Sequence, residues 1–200
     1  MPFIAFLGCD GSGKSAFIAA LISEFKSSDA KVTRGHWRPF PFVQEQVDSP
    51  LLAADDPHGQ APRGSFSSVL KLGWLGLNWW LGWWKCLRSN SRKGYLLFDR
   101  YHGDLLVDPR RYRYGGPMWL ARGVCRMMPQ PDLVIFLDAE PEVLLSRKQE
   151  VSKEALEHSR ARYLQLAKSH KRFEVIDASR PLDEVVDEVR KKINEKILDV

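Results

Sequence analysis

The stretch Gly8-Cys9-Asp10-Gly11-Ser12-Gly13-Lys14-Ser15 carries the residue types and the spacing of a phosphate-binding loop, G-x-x-x-x-G-K-[S/T]. Gly8, Gly11 and Gly13 let the backbone take conformations closed to other residues, so that successive N–H groups can turn inward onto phosphate oxygens. Lys14 then reaches the terminal phosphates and the Ser15 hydroxyl is a ligand for Mg2+. Two further strand ends supply chemistry. Asp99 closes the apolar run Tyr95-Leu96-Leu97-Phe98 and is followed by Arg100; Asp138 closes Leu133-Val134-Ile135-Phe136-Leu137. A carboxylate beside Ser15 completes a hard-oxygen metal shell, and a guanidinium next to it can grip an acceptor phosphate. Asp99 is expected to take the metal role because Arg100 follows it. Asp138 is read as structural, since Ala139-Glu140-Pro141 begins a helix with Pro in its first turn.

These groups need a scaffold that brings them to one edge. Phe3 to Leu7 reads as a buried strand, and the spacing of Phe17, Ile18, Leu21, Ile22 and Phe25 predicts a helix over 16–25. Lys31 to Trp37 is a second strand, halted by Pro39 and Pro41. Further strands are expected at 94–99, 133–137 and 173–177, with helices at 69–87, 118–127, 142–168 (interrupted near Gln149 to Ser152) and 182–198. Apolar runs without alternation mark parallel strands buried on both faces. The pattern predicts an α/β fold of one domain over residues 1–200, in which Gly8, Arg38, Asp99, Asp138 and Asp177 follow strand ends and converge on one edge. Residues 40–65 hold four prolines and read as a long mobile connection.

Composition excludes several classes. A chain 44% apolar and 28% charged is an ordinary globular one, and a net charge of +5 suits phosphorylated ligands without making a nucleic-acid groove. Cys9, Cys86 and Cys125 are far apart and lack paired histidines, which argues against disulfides and zinc and for reduced thiols in cytoplasm. No signal peptide precedes the first strand. Between Lys71 and Lys85 the apolar interior is about thirteen residues, short of the roughly twenty that span a bilayer. Trp79, Trp80, Trp83 and Trp84 nonetheless cover an arc too broad for one buried face, so a partner subunit is expected on this helix ahead of a bound ligand or a membrane surface. Arg110, Arg111 and Arg113, with Tyr112, Tyr114 and the hinge Gly115-Gly116-Pro117, form a basic aromatic loop suited to closing over an anionic acceptor.

Gly8 to Ser15, Asp99-Arg100-Tyr101, Pro131 to Asp138 with Pro141-Glu142-Val143, and Val175 to Ser179 resemble, in sequence and in order, the thymidylate kinase family. The resemblance implies a P-loop kinase-type three-layer sandwich with a five-stranded parallel sheet and helices on both faces. It implies transfer of the γ-phosphoryl group from ATP with Mg2+ to a nucleoside monophosphate or related phosphorylated small molecule. On matching positions, Asp10 faces the acceptor sugar, Gly11 to Ser15 hold the donor, Asp99 meets the metal or reacting oxygens, and Arg100 and Arg38 meet the acceptor. Ala178 and Ser179 lie near the adenine. The family's arginine-bearing lid is reduced here to about 148–158, leaving Arg147, Lys148 and Lys153 in its place, and the family's base-reading arginine is missing near Asn78 or Trp79. A kinase of a hydroxyl acceptor and a nucleotide-dependent switch are the rival readings. Neither an N-K-x-D sequence nor a glutamate directly after Asp99 or Asp138 supports the switch.

Overall fold

The computed structural model describes residues 2–27, 30–37, 61–89, 94–149 and 151–198. Five strands, β1 (Phe3–Gly8), β2 (Val32–His36), β3 (Tyr95–Asp99), β4 (Leu133–Asp138) and β5 (Phe173–Asp177), form one parallel sheet in the order β2-β3-β1-β4-β5. The helices are α1 (Lys14–Ser27), α2 (Ser65–Ser89), α3 (Asp104–Val107), α4 (Met118–Met127), α5 (Pro141–Arg147), α6 (Lys153–Ser169) and α7 (Leu182–Ile193), the last widening into a π-turn over Asn194–Leu198.

Side chains alternate across a strand, so β1 feeds two cores. Ile4 and Phe6 pack with Phe17, Leu21, Val185 and Val189 of α1 and α7. Phe3, Ala5 and Leu7 pack on the other face with Leu72 and Trp79 of α2, Ala121 and Cys125 of α4, and Leu156 of α6. The result is the expected α/β three-layer sandwich with helices on both faces. Deleting a ring such as that of Phe6, which is wholly buried, costs about 3–5 kcal/mol.

Three element boundaries differ from the sequence expectation, each for a tertiary reason. Helix α1 starts at Lys14, because the Gly13 carbonyl accepts from Phe17 N and the loop runs straight into helix. Helix α2 starts at Ser65 rather than Val69: Ser65 Oγ donates to Gly115 O, Gly115 N donates to Ser68 Oγ, and Ser68 Oγ donates to Arg63 O. Those bonds dock its serine-rich first turn onto the loop after α3. The lid region 148–158 is largely the start of α6, where Ser152 caps the helix by accepting from Ala155 N at 3.3 Å. Arg38 and nearly all of the 40–65 connection lie outside the described residues.

The tryptophan helix divides its residues as its arc requires. Trp79 is buried at 1% exposure against Phe3, Phe98 and His102, and Trp83 is half-buried on Phe3. Trp80 and Trp84 remain 52% and 55% exposed.

Candidate active site

The donor end is built almost entirely from backbone. Gly11 and Gly13 both take positive φ, at 87° and 76°. A side chain at Gly11 would also sit 2.5 Å from the Leu144 carbonyl of α5, so glycine is required there both by conformation and by the close approach of a second element. A side chain at Gly8 would collide with Ser12 Oγ, a buried hydroxyl without a hydrogen-bond partner. The loop and the start of α1 line a cleft of about 300 Å3, closed on its far side by Arg147 and Lys148. Arg147 donates to Ala178 O at 2.9 Å and Ser179 O at 3.4 Å, which ties the cleft wall to the segment after β5. Ala178 is buried and Ser179 is held in a turn by its N–H and hydroxyl on Asp177 Oδ1. Cys9, inside the loop, is inert: burial above all pushes its thiol up to about 12.

At the mouth of this cleft Lys14 Nζ meets Asp99 Oδ1 at 2.8 Å. Both are largely buried, and the pair joins the loop after β1 to the end of β3. Burial raises the Asp99 carboxyl, but the neighbouring Lys14 charge and hydrogen bond outweigh it and hold the group below the ordinary aspartate value. Burial lowers Lys14, with Asp99 opposing. Ser15 stands exposed at the head of α1. Among the described residues no cluster of three or more His, Cys, Asp or Glu could cage a metal by itself. Ser15 and Asp99 supply hard oxygens only, which suits Mg2+, an ion that keeps waters and takes phosphate oxygens as its remaining ligands.

The opposite end of the site, where the sequence expects the acceptor, is built from long side chains drawn from five segments. Arg100, at φ 65° and 6% exposure, donates to Asp104 Oδ2 at 2.8 Å, to Tyr163 Oη at 3.4 Å and to Asp10 Oδ1 at 3.2 Å. Arg111 donates to both oxygens of Asp10, at 2.8 and 3.3 Å. Asp104 is fully buried and accepts from Arg100, Tyr112 Oη and Tyr163 Oη. Tyr112 stacks on Trp37 at 4.4 Å, and Lys71 Nζ donates to its carbonyl at 2.9 Å. Burial pulls on every one of these groups, yet the cations win. Asp10 is depressed because Arg111 and Arg100 outweigh its burial, and Asp104 because Arg100 and the two tyrosine hydroxyls do. Burial, with Asp104 adding to it, lifts Tyr112 and Tyr163, whereas Asp104 lifts Arg100 against its burial.

Of the three loop arginines, then, Arg111 reaches Asp10, whereas Arg110 is exposed and Arg113 Nε donates to Ala61 O at 3.2 Å. Asp138 is held by Arg160 through two bonds, at 2.8 and 2.9 Å. Lys153 pairs with Glu142 at 2.6 Å on the surface. The residues the sequence reading missed are Asp104, Tyr163 and Arg160. Arg100 and Asp104 pair although Arg100 lies in the turn before α3, at positive φ, so helical spacing does not foretell the contact.

The family model described as Thymidylate kinase matches residues 83–189, more than half of the chain. The chain belongs to the thymidylate kinase family. Three archaeal relatives, each called a probable thymidylate kinase, agree. That of Methanosphaera stadtmanae is 37% identical over 116 residues, covering 52% of this chain and 55% of the relative. That of Archaeoglobus fulgidus is 42% identical over 73 residues, 34% of this chain and 37% of the relative. That of Sulfolobus acidocaldarius is 35% identical over 78 residues, 35% and 40%. The matches thus span about half or less of these relatives' own length. The family match starts after the phosphate loop, so the geometry around Gly8 to Ser15 stands beside it as a separate observation. Among the described residues no helix is long and apolar enough to cross a membrane.

Proposed function

We propose that this protein is an ATP-dependent kinase that transfers the γ-phosphoryl group to a nucleoside monophosphate or a related phosphorylated small molecule, working in the cytoplasm as a homodimer. The observation that carries the reading is the Lys14–Asp99 pair at the joint between the glycine cradle and the Arg100–Asp10–Arg111 cluster. It sits where a migrating phosphoryl group would pass from donor to acceptor.

In this reading the backbone amides of Gly11 to Ser15 and the positive end of α1 bind the donor phosphates. Lys14 exchanges Asp99 for the terminal phosphates, which frees the carboxylate. Ser15 Oγ and Asp99 would hold Mg2+, which would supply positive charge to offset that of the donor phosphates. Arg147 and Lys148 close the donor side, with Ala178 and Ser179 beside the base. Arg100, fixed by Asp104, and Arg111 face the acceptor phosphate, and Asp10 takes a sugar hydroxyl once its arginines turn to the anion. Arg100 and Arg111 favour an already ionised acceptor phosphate over a hydroxyl, because guanidinium forks grip phosphate oxygens. Transfer then rests on positioning and charge neutralisation.

The dimer is supported by α2. Leu70, Trp74, Leu77, Leu81 and Trp84 are exposed, and they alternate at steps of four and three, which draws one apolar seam along the helix. A second copy laid on this seam would cover it. Light scattering checks this directly: a dimer that the double variant Trp74→Glu, Trp84→Glu converts to monomer is expected, and a monomeric parent would overturn it.

The activity is tested by ADP release from ATP·Mg with deoxynucleoside monophosphates, ribonucleoside monophosphates and sugar phosphates as acceptors. Acceptor-dependent ADP release is expected. Slow release indifferent to every acceptor would favour a nucleotide-dependent switch.

A further inference from the structure

A cavity of about 490 Å3 opens on the α3, α4 and α6 side of the sheet, apart from the cleft of the phosphate loop. It shares no lining residue with that cleft. Its walls are Leu106 and Val107 of α3, Met118 of α4 and Leu166 of α6, and the buried pair Tyr101 and His102 forms part of its floor. Its charge is of one sign. Arg122 and Arg126 stand one helical turn apart on α4, and Arg162 reaches in from α6, its guanidinium fixed by donation to Val107 O at 2.8 Å. No aspartate or glutamate lines the cavity, and among the described residues none of the three arginines has a carboxylate within ion-pair distance. Three guanidinia without a carboxylate thus face one hollow, where their charges add.

We propose that this cavity is a second ligand site, which takes a small phosphorylated molecule with a compact, hydroxyl-bearing body. The volume lies within the range of pockets that enclose ligands of that size. Arginine forks bind phosphate through paired N–H donors, and Arg122 with Arg126 presents two such forks on one helix face. Gln165, Ser169 and His170 at the lower rim supply hydrogen-bonding partners for hydroxyls, while Leu106, Met118 and Leu166 cover the carbon skeleton. A phosphate monoester carries close to two negative charges near neutral pH, which the three arginines offset.

The site is tested in the full chain carrying Lys14→Ala, so that binding at the phosphate loop is suppressed and the result does not depend on catalysis. The nucleoside mono- and diphosphates and the pentose and hexose phosphates are screened by thermal unfolding. At least one compound is expected to raise the midpoint by about 5 to 10 °C at a concentration near 100 times its Kd. That shift is expected to vanish in the variant that also carries Arg122→Ala and Arg126→Ala, both on exposed side chains whose loss leaves the fold intact. The same shift with sodium sulfate at equal ionic strength, survival of every observed shift when Arg122 and Arg126 are replaced, or no shift with any member of the panel would each overturn the proposal.

Discussion

The two ends of the catalytic cleft are made in opposite ways. At the phosphate-loop end, the proposed donor side, the groups offered to a ligand are backbone amides on consecutive residues, fixed by Gly11 and Gly13 and by the approach of α5, with the Lys14–Asp99 pair at its mouth. At the other end, the proposed acceptor side, the groups are drawn from distant segments: Asp10, Arg100, Asp104, Arg111 and Tyr163 come from the phosphate loop, the turn after β3, α3, the loop beyond it and α6, and of these Arg100 and Asp104 are near neighbours in sequence. The contrast teaches what each end tolerates. A backbone cradle can be lost only through a glycine or the single lysine, whereas a side-chain network holds a buried charge that depends on every partner.

The largest effect expected from a single change falls at the donor end. Lys14→Ala should lower turnover by about 10^2 to 10^3, the range for removing one preorganised charge-stabilising donor, with a lesser loss of stability because Asp99 loses its cation but keeps the charges of His36 and Arg100 nearby. Steady-state kinetics beside a denaturation curve check both halves; a folded variant with normal turnover would break the assignment of the loop.

At the acceptor end the expected signature is reversed. Asp104→Asn leaves buried Arg100 with only Asp10, at 3.2 Å, as its anion and should destabilise the fold by about 3 kcal/mol in chemical denaturation, the low end of the range for breaking one side of a buried pair. The same pair predicts a pH dependence. The Asp104 carboxyl lies below its ordinary value of 3.8 in the folded state, so its contribution is complete above that value and is lost as pH falls through the lower folded value. Acid unfolding of the parent should therefore steepen below about pH 4. The Asn variant should show a flatter acid limb; an unchanged limb would remove Asp104 from the account.

Smaller, and sharper for the comparison, is the effect on acceptor kinetics. Arg111→Ala should reduce kcat/KM for the acceptor about tenfold to hundredfold, corresponding to about 1.5 to 3 kcal/mol for a hydrogen bond to a charged group. Arg110→Ala should change it by less than about twofold, since surface substitutions away from such contacts cost little. Equal effects at the two positions would mean that the loop acts through net charge and not through the geometry of Arg111.

Much of the fold was legible because it rests on short-range rules. Four of the five strands are largely apolar runs closed by Gly8, Asp99, Asp138 and Asp177, the break between α5 and α6 falls where Gln149 to Ser152 interrupts the helical pattern, and Trp79 to Trp84 cover more than one face of α2. The first turn of α2 was not legible, because its serines are poor helix formers that hold only through bonds to Arg63 and Gly115, one of them more than forty residues away. Which loop arginine faces the site was hidden for the same reason. Arg110, Arg111 and Arg113 are equivalent as residue types, and the turn that sends Arg111 to Asp10 and Arg113 to Ala61 is set by the positive φ of Arg113 and by Arg111 N on Asp108 Oδ1 at 3.1 Å.

The sequence by itself determined the donor half of this protein: the phosphate cradle is local, its groups are consecutive, and glycine spacing encodes its backbone path. Only the tertiary structure decided the acceptor half. There Asp104 lies at the centre of a charge network whose members are up to 59 residues from it along the chain. Whether a buried carboxylate meets a guanidinium and two hydroxyls depends on how α3 and α6 pack against the sheet, and no spacing rule along one segment carries that information.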